Sequence, residues 1–243
     1  MKFKNLKRSL RPAVGVSNES TRERWLEMTL ASIPAGARIL DAGAGTQRNR
    51  KFCTHLNYVS QDVGEYDGKG DAAGLQTGEF NYGSLDIVSD ITSIPQADES
   101  FDAIMCIEVL EHLPDPVSAV KEFARLLKPD GYLILTAPFC SLTHFAPFHF
   151  CTGFNTYWYG KHLHENNFSI TEMTANGNYY EYLAQEMYRV RSVSSRYSND
   201  GPKLFEKVSM YFVQRMLLRF SKKDSKSSEL LCFGYHVLAR KRE

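Results

Sequence analysis

Arg38-Ile39-Leu40-Asp41 runs without a break into Ala42-Gly43-Ala44-Gly45-Thr46, and that junction decides the fold. A short apolar run ending in an acid reads as a strand buried among neighbours. The alternating glycines behind it let the backbone turn sharply and let a ligand approach the main chain without meeting a Cβ. A helix N-terminus after such a turn offers free N–H groups to a polar ligand. Alone, a Gly-x-Gly turn is as readily structural as functional. Its weight comes from Asp62, 21 residues after Asp41, at the end of the next strand, residues 57–62. An acid there faces the crevice and can accept hydrogen bonds from both hydroxyls of a ribose. A dinucleotide site wants a third glycine where Arg48 stands, so the nucleotide need not carry a pyrophosphate.

Working outward, residues 63–84 are rich in Gly, Asp and Asn and read as a long loop. Residues 85–90 (LDIVSD) are a third strand with an acidic end. Residues 101–107 (FDAIMCI) form a continuous apolar run, as a strand covered on both faces requires, and Glu108-Val109-Leu110-Glu111-His112 follow it. Val117, Val120, Phe123, Ala124 and Leu127 recur at helical spacing and predict a helix over 116–127. Residues 128–131 then read as a turn and 132–136 as the fifth strand. A helix over 155–166, a strand over 168–173, an amphipathic helix over 204–220 and a closing strand over 232–239 complete the pattern. This alternation predicts βαβ units in a doubly wound, Rossmann-like α/β sheet with helices on both faces. It also predicts a basic segment over 1–24 and one domain over 25–243, with a helical insertion at about 180–230 before the last strand.

The 243 residues are 43% hydrophobic and 23% charged, close enough to a soluble globular average to exclude disordered, collagenous and disulfide-scaffold classes. A net charge of +1 conceals an acidic middle. Residues 25–200 carry 12 basic and 22 acidic side chains, against 7 and 2 before them and 10 and 4 after. No apolar run is long enough for a membrane span, and no signal segment is expected behind the basic start. Five widely spaced cysteines, an odd number with no Cys-x-x-Cys pair, point to the cytoplasm. His144, His149, Cys151, His162 and His164 lie close in sequence, but their spacing fits no zinc module, and no metal is expected.

The series ARILDAGAG, YVSQD, SDITSIP, SFDAIMCIEVLEHLPDP and LLKPDGYLILTAP, within residues 37–140, resembles the class I S-adenosylmethionine-dependent methyltransferases. The resemblance implies a seven-stranded sheet whose last strand is antiparallel, bound S-adenosylmethionine, and transfer of its methyl group. It would set Gly43 and Gly45 under the amino acid moiety of the cofactor, with Asp41 holding its ammonium group directly or through water. Asp62 would bind the ribose, Asp90 and Ile91 would flank the adenine, and Glu108 and His112 would face the cofactor and the acceptor. Where many members carry a third glycine, this chain has Gln47. Pro138-Phe139, Pro147-Phe148-His149-Phe150 and Asn167-Phe168-Ser169-Ile170 also resemble methyltransferases of bacterial surface-polysaccharide pathways, although Thr152-Gly153-Phe154 replace an expected arginine.

The Asn/Asp-Pro-Pro-Tyr/Phe loop of amino-methylating enzymes is absent, as is the Pro-Cys nucleophile of cytosine enzymes. The acidic middle argues against nucleic acid. These features favour O-methylation of a sugar or related small-molecule hydroxyl in surface-glycan assembly. A quinone or lipid precursor and a non-catalytic cofactor-binding module stand as alternatives. A hydroxyl acceptor benefits from a general base near neutral pH. His149, shielded by Phe148 and Phe150, is the first candidate, with His112 and His144 beside it. The basic ends, with Phe3, Leu6 and Leu10 in one and Tyr211, Met216, Leu217 and Phe220 in the other, suggest peripheral contact with an anionic membrane.

Overall fold

Strands β1 (Arg38–Ala42) and β4 (Phe101–Ile107) are covered on both faces, so their central positions are apolar in succession rather than alternating. Ile39, Leu40, Phe101, Ala103, Ile104, Met105 and Cys106 are fully buried. The computed structural model describes residues 13–243. Around these two strands lie β2 (Asn57–Asp62), β3 (Ile87–Val88), β5 (Leu127–Pro138), β6 (Phe168–Asn176) and β7 (Gly234–Lys241). The sheet order is β3-β2-β1-β4-β5-β7-β6. Pairs β1/β2, β1/β4, β2/β3 and β4/β5 are parallel, and β7 lies antiparallel to β5, as the resemblance implied. The order reverses between β1 and β4, which opens a crevice beyond their carboxyl ends.

The helices are α1 (Asn18–Ala31), α2 (Pro116–Leu126), α3 (Thr156–Glu165), α4 (Tyr179–Tyr197) and α5 (Leu204–Ser221). Asp115 caps α2 by accepting the Ser118 N–H at 3.1 Å, with Pro116 in the first turn, and Asn155 caps α3 through Trp158 N–H at 3.1 Å. Sequence periodicity misses α1 and α4. In α1 only Leu26, Thr29 and Leu30 are buried, too narrow a stripe to register. Leu26 and Leu30 nonetheless pack with Ile33, Ile39, Cys53, Leu56, Ala103, Met105 and Ile134 in one core. Residues 128–131 are not a turn: they lie inside β5 as an irregularity opposite Phe101 and Ala103, with Asp130 at φ 59°. The third strand shrinks from six expected residues to two, and the exposed Asp86 just before it accepts the backbone N–H of Ser60 at 2.8 Å.

The described chain divides into two compact units. One comprises Arg22–Thr174 and Gly234–Glu243. The other joins the residues up to Thr21 to Ala175–Phe233. In the second unit Val14, Ala184 and Leu217 form a small core with Tyr180, Leu183, Met187 and Leu218. Gly15, at φ 72°, crosses α4 so closely that a Cβ would stand 2.3 Å from the Gln185 nitrogen. Among the described residues no helix is long and apolar enough to cross a membrane.

Candidate active site

The first unit holds a cavity of about 610 Å³ beyond the carboxyl ends of β1, β2 and β4. One half is built by the glycine turn. Gly43 (φ 75°) and Gly45 (φ 51°) both occupy the left-handed region that a Cβ disfavours. A Cβ on Gly43 would also meet both methyls of Val109 at 2.6 Å. Asp62 clamps the turn: Oδ2 accepts Gly45 N–H at 2.9 Å and Oδ1 accepts Gly64 N–H at 3.0 Å. Each carboxylate oxygen keeps a lone pair for a further donor. Asp90 and Ile91 line the same cavity, Asp90 exposed and accepting the Thr92 N–H and hydroxyl, both at 2.8 Å, Ile91 buried.

Two details explain departures in the sequence. Gln47 takes φ 56° where glycine is common, a conformation costing on the order of 1 kcal/mol, and its amide is anchored on the carbonyls of Tyr82 and Ser84, both at 2.8 Å. Asp41 corrects the expectation of direct contact with a cofactor. It is 1% exposed, does not line the cavity, and accepts the Tyr58 hydroxyl at 2.7 Å. Burial pushes its carboxyl up to about 7.

The other half of the cavity carries Glu108, Glu111, His112, His144, Phe145, Phe148 and Phe150. Glu108 (φ 56°) accepts the Thr136 hydroxyl at 2.9 Å and pairs with Arg22 at 3.0 Å. The His112 and His144 rings lie 4.7 Å apart, and the His149 ring lies 4.9 Å from His144. His149, the first candidate from sequence, is not on the cavity wall; its Nε2 lies 3.1 Å from the Ser141 hydroxyl. Phe148 and Phe150 line the cavity, and His149 between them packs against the His144 ring instead of the wall. Burial lowers the pKa of His112 to about 4, and burial followed by the neighbouring His144 lowers that of His149. Burial, reinforced by Glu108, raises that of Glu111 far above the carboxylate range.

Sequence reasoning missed Arg22, in the unrecognised α1, and the aromatic wall from the 63–84 loop. Tyr66 stacks on Phe145 at 4.5 Å, Phe145 on His112 at 5.0 Å, and Phe80 meets Tyr66 edge-on at 5.2 Å. Leu75 N–H donates to Thr143 at 2.9 Å and Phe145 N–H to Leu75 at 3.0 Å, tying this loop to the 139–150 segment. The Tyr, Phe and Gly spacing of residues 66–83 was the available signal.

Residues 40–135 match a family model described as a methyltransferase domain. These residues are similar to a methyltransferase domain on the class I fold. Relatives match only in part. The chain is 35% identical over 107 residues to a ubiquinone biosynthesis O-methyltransferase from Xanthomonas axonopodis pv. citri, covering 42% of this chain and 44% of that protein. It is 31% identical over 134 residues to cycloartenol-C-24-methyltransferase 1 of Oryza sativa subsp. japonica, covering 51% and 37%. The chain spans between 16% and 48% of the length of the curated relatives it matches. Among solved structures, Haemonchus contortus phosphoethanolamine N-methyltransferase 2 with bound S-adenosyl-L-methionine is 14% identical with a TM-score of 0.52, covering 91% of this chain and 52% of that one. The [4+2]-cyclase SpnF is 18% identical with a TM-score of 0.53, covering 90% and 80%. A cyclase on this fold shows that the fold alone does not choose the reaction.

The donor set fits S-adenosylmethionine. Asp62 offers two free lone pairs for ribose hydroxyls, the Gly43–Gly45 turn gives bare backbone, and Ile91 supplies an apolar wall beside the Asp90 carboxylate.

Proposed function

We propose that the chain is an S-adenosylmethionine-dependent methyltransferase that O-methylates a hydroxyl of a small molecule. The observation that carries the reading is the two-sided cavity, with the Asp62 and glycine-turn half opposite a wall of histidines and aromatic rings. The bound cofactor supplies an activated methyl group. Gly43, Gly45 and Asp62 hold it, Asp90 and Ile91 bracket its base, and Glu108 fixes the floor between cofactor and acceptor. The work left to the chain is to align an acceptor oxygen and exclude water. The tied loops 63–84 and 139–150 do the excluding.

The histidine cluster takes the hydroxyl proton. His112 donates Nδ1–H to the Phe148 carbonyl and His144 donates its own to the Leu142 carbonyl, so the Nε2 lone pair of each neutral ring remains on the cavity side. His149, its ring 4.9 Å from that of His144, packs behind it and holds its position.

Within this reading we favour a sugar hydroxyl of surface-glycan assembly, supported by the Pro-aromatic segments at 138–139 and 147–150. A quinone precursor is the second reading, favoured by the aromatic wall and the partial likeness to ubiquinone O-methyltransferases. The test is transfer of labelled methyl groups from S-adenosylmethionine to a panel of nucleotide sugars, catechols and hydroxylated lipids. Transfer to the sugars supports the first reading and transfer to catechols the second. Cofactor binding without transfer to any of them favours a regulatory binding module.

The reading keeps the chain in the cytoplasm, in line with five free cysteines. It also includes peripheral contact with an anionic membrane through α5, where Tyr211, Met216 and Phe220 are exposed on a helix that carries Arg215 and Arg219, as are Leu204 and Phe205, whereas Leu217 is buried in a small core and drops out of the expected set. Phe3, Leu6 and Leu10, the other half of that expectation, lie outside the described residues. Co-sedimentation with phosphatidylglycerol vesicles at low salt is the expected outcome; recovery of all protein in the supernatant contradicts it.

A further inference from the structure

We propose that Glu111, His112 and His144 bind a divalent transition-metal ion on the acceptor side of the cavity. One ligating atom from each residue lies within 4.8 Å of the other two. Glu111 Oε1 stands 3.8 Å from His112 Nε2 and 3.8 Å from His144 Nε2. Two donors on one zinc ion, with bonds of about 2.1 Å, stand about 3.4 Å apart in tetrahedral geometry, so the two Glu111–histidine distances close by a few tenths of an ångström, while the histidine pair, within 4.8 Å, closes by rotation of the rings.

Three further observations distinguish this cluster from a chance meeting of polar groups. Both rings have their tautomer fixed by the backbone: Nδ1 of His112 faces the Phe148 carbonyl and Nδ1 of His144 faces the Leu142 carbonyl. A carbonyl only accepts, so each Nδ1 carries the hydrogen and each Nε2 presents a lone pair. This is how ligand histidines are oriented in metal sites. Glu111 is 1% exposed, and its Oε2 has no hydrogen-bond partner among the described residues. A buried carboxyl oxygen left unpaired is costly, and a cation in place of the carboxyl proton supplies the missing partner. Finally, the Glu111 main chain is fixed independently of its side chain, its carbonyl accepting the N–H groups of Phe150 and Cys151 at 2.9 and 3.1 Å.

Two imidazoles and one carboxylate suit zinc, iron(II) or another first-row divalent ion rather than magnesium or calcium, which prefer all-oxygen sets. All three residues line the cavity, so the remaining coordination positions open toward the acceptor. The site does not depend on methyl transfer. If transfer occurs, the metal would hold an acceptor oxygen and favour its ionised form, with His112 and His144 serving as ligands instead of bases.

The test uses the full-length, tag-free chain and zinc alone. Titration against a chromogenic chelator is expected to give one tightly held zinc per chain, and cobalt(II) in its place an absorption band of nitrogen and oxygen ligation. His144→Ala and Glu111→Gln are expected to weaken zinc binding at least tenfold while S-adenosylmethionine affinity stays unchanged. His164→Ala, an exposed histidine on α3, is expected to leave zinc binding intact. Absence of stoichiometric zinc in the wild type would overturn the proposal. So would zinc binding indifferent to His144→Ala in a variant whose circular dichroism and cofactor affinity show it folded. Because cofactor affinity is read separately, failure of the metal site and failure of the methyltransferase reading remain distinguishable.

Discussion

The two halves of the cavity are built by opposite strategies. The half proposed for the cofactor is local: residues 41–62 supply the glycine turn and the Asp62 carboxylate that clamps it, joined by backbone hydrogen bonds such as Gly43 N–H and Ala44 N–H to Gln61 at 2.9 and 2.8 Å. The acceptor half is assembled from Arg22, the 63–84 loop, residues 108–112 and residues 142–150, which meet only after folding. A binding site that must accept an invariant nucleotide can be written into one short stretch. A site that must fit a particular acceptor is shaped by loops, where variation costs the sheet little.

The largest expected effect breaks the local half. Gly43→Ala places a Cβ against Val109 on a backbone at φ 75°. It should destabilise the chain by about 2–4 kcal/mol and abolish cofactor binding, read by thermal melting and calorimetry. Next, His144→Ala attacks the assembled half. It should lower turnover about 10²–10⁴-fold with little change in cofactor affinity, whether the ring acts as base or as ligand. Equal losses in both quantities would mean that the halves are not separable.

These two predictions also mark how far the sequence could be read. Gly43, Gly45, Asp62, Asp90, Ile91 and Glu108 were legible because strand ends and glycine turns are short-range signals, and all six line the cavity. The direct-contact half of the Asp41 expectation fails because its position at a strand end gives no clue that Tyr58, on the neighbouring strand, engages its carboxylate. His149 was ranked above His112 and His144 on its aromatic neighbours, yet His112 and His144 line the cavity and His149 lies behind them. Arg22 was unreadable, since α1 buries too narrow an apolar stripe to reveal itself. Glu111 drew no notice as a ligand because its partner His144 lies 33 residues away in sequence.

The halves also differ in their response to pH. His112, held near 4 by burial, is less basic folded than unfolded, so its contribution to stability is present above about 6.5 and is lost as pH falls toward 4. Asp41, raised to about 7, has the opposite sign: its contribution is present below its unfolded value near 4 and is lost as pH rises through 7. Asp41→Asn should therefore raise stability at pH 8 relative to pH 5, compared with wild type, by on the order of 1–3 kcal/mol in denaturant titrations. A variant whose stability tracks the wild type across that interval would remove Asp41 from the account. Gln47→Gly should give the smallest change, within about 1 kcal/mol, because relief of the positive φ is offset by loss of the bonds to Tyr82 and Ser84.

Calorimetric titration of S-adenosylhomocysteine into the wild-type chain and into Asp62→Ala tests the central claim most directly. One binding site in the wild type and at least a thirtyfold loss of affinity in a folded Asp62→Ala variant are predicted, since Asp62 is assigned the ribose hydroxyls. Wild-type protein that takes up no S-adenosylhomocysteine, or that binds it no better than Asp62→Ala does, would contradict the account.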